Sequence, residues 1–351
     1  MIEVSLGREG SSNPTRFEME DRETRALLRG LHKPSPVRYW TDLLVTAALG
    51  WAAFGLAITL DPFSTGMLIA VGVAILALYR GLCFIHEISH LNPRAVPGFE
   101  RAWNWLVGYP LLLPSFTYVG VHQAHHSLST YGTEQDPEYL PFSKASHMPV
   151  MFALQALLIP VILFVRFFLI APLSIMFPGI QRWVAVHASS LAMQPKFRRE
   201  VDGKVLQLIQ RQSAWVLLVW TALIALAATG ILPWHTFAIW VVVSALASFI
   251  NTIRTLGAHD YESEGDPLNR MQQLQDSIDT PGGFWTELWA PVGLRYHALH
   301  HYFPGIPYHN LPEAYRRLVK SLPQDSVYHE TISPSLPHSL WSLYRRGSRS
   351  E

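Results

Sequence analysis

The chain has 351 residues with 27 basic and 26 acidic side chains, and a net charge of +1 gives no reason to expect nucleic-acid binding. Charged residues make up 15% of the chain and hydrophobic residues 49%, whereas a typical soluble domain has about 25% charged residues. The single cysteine, Cys83, excludes a disulfide framework and a cysteine-ligated iron–sulfur cluster.

Four uncharged stretches follow the polar N-terminal region 1–38. Crossing about 30 Å of hydrocarbon takes about 20 apolar residues, and each stretch has that length. They predict an all-α membrane protein with four spans arranged as two hairpins, whose turns lie near Asp61 and Leu232. The predicted spans are about 42–61, 62–85, 213–232 and 234–256.

Two further apolar segments, about 103–116 and 150–177, are interrupted by prolines, and the second carries Arg166. An arginine at the bilayer centre is costly, by about 2.5–3.5 kcal/mol on an insertion scale. We therefore expect both segments to be interfacial or re-entrant on the cytoplasmic side. Residues 39–322 then form one membrane domain, followed by a polar C-terminal tail, 323–351.

The basic residues predict the orientation of the chain. None of the 27 lies in either hairpin turn, and most precede the first span or lie between and after the two hairpins. Because cytoplasmic loops carry the excess of lysine and arginine, both termini and the region between the hairpins are expected in the cytoplasm.

Histidines form three short clusters at helical spacing. The spacings i, i+3 and i+4 place side chains on one helical face, and neutral imidazole suits iron, zinc, copper and nickel. The clusters are HEISH with His86 and His90, HQAHH with His122, His125 and His126, and HALHH with His297, His300 and His301.

His259 is predicted as a ninth ligand because of its position alone. A helix from Pro62 would reach His86 after about 36 Å, and a helix from Pro233 would reach His259 after about 39 Å. Both histidines would then lie just beyond the hydrocarbon, on the cytoplasmic side. Nine imidazoles are too many for one metal, and they predict a cap that holds two metals with four or five nitrogens each.

Two alternatives of another class remain open from the residues. His86, Glu87 and His90 also match H-E-x-x-H, the zinc-protease helix in which the glutamate is the general base. An intramembrane zinc metalloprotease would use this box and leave the other two clusters without a role. A non-enzymatic membrane protein with a structural metal cap is the other alternative.

The order HEISH, HQAHH and RYHALHHYFPGIPYHNLPEAYRRL, with paired spans between the boxes, resembles the integral-membrane fatty acid desaturase family. TLGAHD at 255–260 and HSLSTYGTEQDPEY after the second box are similar to bacterial members. The resemblance covers about 85–320. It implies a mushroom-shaped four-span fold, a cytosolic di-iron cap and an acyl chain beneath the metals. Some animal members have an asparagine where this chain has Thr255.

The resemblance also implies the chemistry. The expected reaction is O₂-dependent desaturation of a fatty acyl chain in a bacterial inner membrane, with two Fe²⁺ ions as cofactor. Hydroxylation and terminal-alkene-forming decarboxylation are alternatives, because those relatives use similar boxes.

Two further sets of residues receive predicted roles from the sequence. The chain has no electron-transfer module, so a ferredoxin, a rubredoxin or a cytochrome b-type donor is expected to dock on basic residues: Arg198, Arg199, Arg316 and Arg317. Side chains near the boxes are expected to orient the imidazoles: Glu87, Asp136, Glu138, Asp260, Asp266 and His309.

Overall fold

A computed structural model describes residues 16–350. Residues 1–15 of the predicted polar region 1–38 therefore lie outside the described residues. All regular elements of 16–350 are helices. Extended backbone occurs there as isolated bridges that join His259 to Ser277 and Asp279 to both Tyr296 and Ile332.

The helices of the N-terminal half are α1 (Arg16–Leu27), α2 (Pro36–Thr59), α3 (Thr65–His90), α4 (Phe99–Trp103), α5 (His122–His125), α6 (His147–Gln155), α7 (Ile159–Val165) and α8 (Ala171–Met176). Those of the C-terminal half are α9 (Pro178–His187), α10 (Gly203–Ala228), α11 (His235–Leu256), α12 (Arg270–Asp276), α13 (Phe284–Trp289), α14 (His297–Tyr302), α15 (Leu311–Ser321), α16 (Val327–Glu330) and α17 (Leu336–Ser350).

Within residues 16–350, five helices are long and apolar enough to cross a membrane, which supports an integral membrane protein. Four of them, α2, α3, α10 and α11, overlap the predicted spans. The largest difference is at α10, which begins at Gly203 rather than at 213. The two helices of the first hairpin approach closely, since a Cβ on Gly50 would lie 2.7 Å from Leu78 Cδ2. Small residues at such contacts are typical of helix packing in lipid.

The fifth long helix is the continuous stretch His147–Met176, here called the α6–α8 helix, which contains the segment predicted as interfacial. One turn of π-helix, Arg166–Ile170, joins α7 to α8. The buried Arg166 Nε donates to the carbonyl of Ala188 at 2.9 Å. Several aliphatic side chains of the α6–α8 helix are exposed, as expected for contact with lipid: Leu154, Leu158, Val161, Ile162 and Leu169.

The other predicted interfacial segment, 103–116, is instead largely buried among α2, α3, α10 and α11. Three of its carbonyls accept hydrogen bonds from indole groups of the long helices. Trp51 donates to Leu106 O, Trp220 to Tyr109 O and Trp240 to Pro110 O, at 2.7–3.2 Å. Non-helical backbone at membrane depth is tolerated only where it is buried and satisfied in this way.

Residues 323–350, predicted as a polar tail, contain helices α16 and α17. Helix α17 packs against the chain around Phe142–Lys144, and a Cβ on Gly347 would lie 2.6 Å from Ser146 N. The backbone of the last helix therefore lies directly on the turn that leads into α6.

Candidate metal centre

Four segments bring the histidines together. His86 and His90 occupy the last turns of α3, whereas the second and third clusters lie on the short helices α5 and α14. The expectation that a helix from Pro233 continues to His259 is wrong, because α11 ends at Leu256. Gly257 follows the helix, and His259 lies beyond it on the bridge to Ser277.

The nine predicted ligand histidines gather in two groups. The ligand atoms within each group lie within 4.8 Å of one another. The first group, called site A, contains His86, His90, His122, His126 and His300, and the second, called site B, contains His125, His259, His297 and His301. The two sites are neighbours, since the rings of His126 and His301 stack with centroids 4.2 Å apart.

The nitrogen spacing fits metal coordination. In site A the Nε2 atom of His126 lies 2.9 Å from that of His122, and the Nε2 atom of His300 lies 3.1 Å from that of His90. In site B the Nε2 atoms of His297 and His259 are 2.8 Å apart. Metal–nitrogen bonds of about 2.0–2.1 Å at right angles separate neighbouring nitrogens by about 2.9 Å.

Several imidazole nitrogens have no protein partner. Both nitrogens of His86 are buried without a hydrogen bond, as are the Nδ1 atoms of His297, His300 and His301. Buried polar atoms are normally satisfied. Convergent Nε2 atoms together with an unpartnered buried imidazole such as His86 are what a site for metal ions requires.

Electrostatics favours the form of histidine that binds metal. Burial, reinforced by neighbouring imidazoles, lowers the pKa of five of these residues: His122, His126, His297, His300 and His301. They are therefore neutral at physiological pH, as ligation requires. Burial also acts to lower the pKa of His125, but the carboxylate of Asp136 outweighs it and the net shift is upward.

Two predicted orienting carboxylates contact ligand imidazoles. Asp136 is fully buried, and its oxygens lie 2.9 and 3.0 Å from Nδ1 of His125. Glu138 lies 2.5 Å from Nδ1 of His122, and burial raises the pKa of Glu138 to about 7. Hydrogen bonds on Nδ1 hold each ring so that Nε2 faces the centre of the group.

The residues that hold His259 were missed by sequence reasoning. The Tyr131 hydroxyl lies 2.9 Å from Nδ1 of His259 and donates to Asp276 at 2.8 Å. The other oxygen of Asp276 accepts from the Tyr139 hydroxyl at 2.9 Å. These residues are remote in sequence and follow no ligand spacing, so no local signal identifies them.

Asp279 was also missed, and it supports the third cluster. One carboxylate oxygen accepts from the backbone amide of Leu299 at 3.1 Å, and the other accepts from the Tyr328 hydroxyl at 2.6 Å. Asp279 therefore acts as a cap at the amino end of α14, where a carboxylate is favourable.

The remaining predicted orienting residues have other partners. Glu87 accepts from the Tyr39 hydroxyl and the amide of Tyr308, at 2.6 and 3.1 Å. Asp260 pairs with Arg346. His309 accepts from the amide of Ser35. Asp266 accepts the Ser263 hydroxyl through its backbone carbonyl.

Comparison with known proteins gives two matches. The family described as fatty acid desaturase matches residues 62–332. A ceramide hydroxylase from Caulobacter vibrioides (strain NA1000 / CB15N) is 40% identical over 330 residues, which are 93% of this chain and 93% of the relative. No solved structure matches the chain significantly.

The family match confirms the resemblance seen in the histidine boxes. Proteins of this family use a di-iron centre and act as oxidoreductases on lipids, and the two histidine groups fit metal binding. Membership of a family of oxidoreductases argues against the zinc-protease alternative. That alternative also requires Glu87 as the general base, but Glu87 accepts hydrogen bonds from Tyr39 and Tyr308. Because the family match extends over most of the chain and contains all nine clustered histidines, the protein belongs to the fatty acid desaturase family.

Proposed function

We propose that the protein is an O₂-dependent di-iron hydroxylase that acts on the hydrocarbon portion of a ceramide-like lipid. The observation that carries this proposal is the 40% identity to a ceramide hydroxylase over 93% of both chains. One iron would be held by the five imidazoles of site A and the other by the four of site B. The second candidate is desaturation of an acyl chain, which the family description and the box order favour.

The two reactions share reactants and differ in product. Hydroxylation consumes O₂, two electrons and two protons, breaks one C–H bond, and yields an alcohol and one water. Desaturation consumes the same reactants, removes two hydrogens from neighbouring carbons, and yields a double bond and two waters. When bound, the di-iron centre supplies the oxidising power that cleavage of an unactivated C–H bond requires.

The protein's own residues contribute positioning and exclusion of water. The four imidazoles of site B are all buried, whereas His90 and His126 of site A are partly exposed. The site B side of the centre is therefore the more closed to solvent. Asp136, Glu138 and the Tyr131–Asp276 pair fix the rings of His125, His122 and His259 from outside. Fixed rings and burial would limit the access of water to the reacting atoms.

The proposed topology has four spans, with both termini in the cytoplasm of a bacterial inner membrane. Backbone hydrogen bonds support it, because Leu191 N donates to Thr117 O and Met193 N to Pro137 O, each at 2.8 Å. These bonds join chain before the α6–α8 helix to chain after it. Between Met176 and Leu191 the chain contains one short helix, the ten residues of α9, about 15 Å long. That stretch holds no second long apolar helix that could return across a bilayer.

Reporter tags test this topology. Tags at either terminus and at about Pro195 are expected to report the cytoplasmic side. The support is that Met193 bonds to Pro137, which lies between the two carboxylates that contact the second histidine cluster. Protease or thiol-labelling access in right-side-out and inverted vesicles measures the side. A tag in the Asp61–Pro62 turn is the control and should report the opposite side. A tag at Pro195 on that opposite side would mean that residues 147–176 cross and that the four-span topology is wrong.

The proposed electron donor is external: a ferredoxin, a rubredoxin or a cytochrome b-type protein. Of the four basic residues expected to receive it, Arg199 is buried and donates to the carbonyls of Phe116 and Val119 at 2.6 and 3.2 Å. It therefore stabilises the fold. Arg198 and Arg316 are exposed and remain in the proposed docking surface.

Lipid analysis tests the function directly. We expect a host that makes ceramide and expresses this chain to accumulate ceramide one oxygen heavier, as measured by mass spectrometry. The His301→Ala variant is the control and should make none. Ceramide or acyl chains two hydrogens lighter would favour desaturation instead, and unchanged lipids with fully iron-loaded protein would contradict both candidates.

A further inference from the structure

Arg254 is a charged residue in the last turn of the membrane helix α11. Its Nη2 donates to the side chains of Asn251 and Thr255, at 3.1 and 3.0 Å, whereas its Nε is buried without a hydrogen-bond partner. Among residues 21–350 no carboxylate oxygen lies within 4.0 Å of its guanidinium. A cation in such a place is costly, and intramembrane ionisable residues are accordingly associated with function.

The surroundings of Arg254 are polar. Tyr79 and Cys83 of α3, together with Tyr118 and the carboxylate of Glu138, interact with it electrostatically. The hydroxyl of Tyr79 donates to the carbonyl of Trp289 at 2.7 Å, and that of Tyr118 bonds to Glu138 at 3.0 Å. A hydroxyl that donates can still accept, and Tyr79 also hydrogen-bonds with Arg254. The donor of Arg254 left without a partner among the described residues is therefore Nε.

This polar group lies next to the metal centre on its membrane side. Arg254 interacts electrostatically with His86 and His297, one histidine from each site. Along α3, Cys83 precedes His86 by about 4.5 Å and Tyr79 precedes it by about 10 Å. Arg254 therefore lies on the side of the centre that faces the membrane helices.

We propose that Arg254 binds an oxygen of the substrate's polar group, such as the amide carbonyl of a ceramide, and so selects lipids that carry that group near the oxidised carbon. This inference rests on the proposed function and names the residue that recognises its substrate. A carbonyl oxygen can accept from Nε, the donor of Arg254 that has no hydrogen-bond partner among the described residues. The oxidised carbon is then close to the head group along the chain, because Arg254 interacts electrostatically with a histidine of each site.

Binding to the purified full-length protein tests the proposal. The probes are palmitoyl ceramide and hexadecane, which lacks every polar atom. Arg254→Gln is expected to raise the Kd for ceramide about 10- to 100-fold, the effect of losing a hydrogen bond from a charged group, and to leave the Kd for hexadecane unchanged. Arg254→Lys keeps the charge but loses the planar guanidinium. Its Kd for ceramide should lie between those of the wild-type protein and Arg254→Gln.

Arg166→Gln is the matched control, because Arg166 is also a buried arginine of a long apolar helix and has an unpartnered nitrogen, Nη1. It should change neither Kd. An unchanged ceramide Kd in a folded, iron-loaded Arg254→Gln protein overturns the proposal. If that variant does not fold, an unchanged ceramide Kd in Arg254→Lys overturns it.

The reaction product and the ceramide Kd together distinguish a failure of this proposal from a failure of the proposed function. A wild-type protein that desaturates ceramide contradicts hydroxylation, whereas an Arg254-dependent ceramide Kd still supports the subsite. A wild-type protein that binds ceramide no more tightly than hexadecane overturns the subsite, whatever the reaction. In a hydroxylating protein, a hydroxyl placed near the methyl end of the chain would also overturn it.

Discussion

Replacing His259 with alanine is expected to abolish turnover as fully as replacing His301. Site B has only four imidazoles, and Nε2 of His259 lies 2.8 Å from that of His297. With one nitrogen lost, we expect bound iron to fall from about two per chain towards about one, because site A keeps its own ligands. Metal analysis and lipid turnover on the purified variants measure both effects.

Two other histidines provide controls. His235 bonds to the carbonyl of Ile58 and His187 to that of Trp183, and both are exposed. Alanine at either position should leave iron content and turnover nearly intact. A His259→Ala protein with full iron and full turnover would show that site B binds its metal through His125, His297 and His301 alone.

The three clusters could be predicted because their geometry is local. Spacing of i, i+3 and i+4 places imidazoles on one side of a helix wherever that helix lies. The long helices could also be predicted, since about 20 uncharged residues in a row require burial in lipid. Neither step needs knowledge of contacts between distant parts of the chain.

The support for the imidazoles depends on contacts that the sequence does not display. Asp276 reaches His259 together with Tyr131, which lies 145 residues away from Asp276 in the chain. Asp260 is adjacent to His259 yet pairs with Arg346. Proximity in sequence thus selected the wrong carboxylate for His259, because chain reversal after α11 turns neighbouring side chains in different directions.

The buried segment 103–116 shows a second limit. Its prolines indicate correctly that it does not form a long helix, but they do not indicate its depth. Depth depends on whether distant donors satisfy its carbonyls, and here indoles of α2, α10 and α11 do so. Tryptophans scattered along three helices carry no such signal until the helices are packed.

Replacing Asp136 with asparagine is expected to have the largest effect of any change outside the histidines. Asp136 is fully buried, holds Nδ1 of His125 with both oxygens and accepts the amides of Gly132 and Glu138 at 2.9 Å. An amide keeps the shape but loses the charge that favours donation by His125. Iron affinity should fall about 10- to 100-fold, as for other residues that orient metal ligands, and titration of the metal-free protein with Fe²⁺ measures it.

Asp260→Asn is the matched control, because Asp260 is adjacent to the ligand His259 but pairs with Arg346 at the surface. A partly exposed ion pair contributes little, so iron affinity should change less than about threefold. If Asp260→Asn lowered iron affinity as much as Asp136→Asn, nearby negative charge would matter more than contact with an imidazole. We expect the larger loss for Asp136→Asn, because the hydrogen bond from Nδ1 to Asp136 fixes the orientation of the His125 ring. A carboxylate that makes no contact with an imidazole cannot do so.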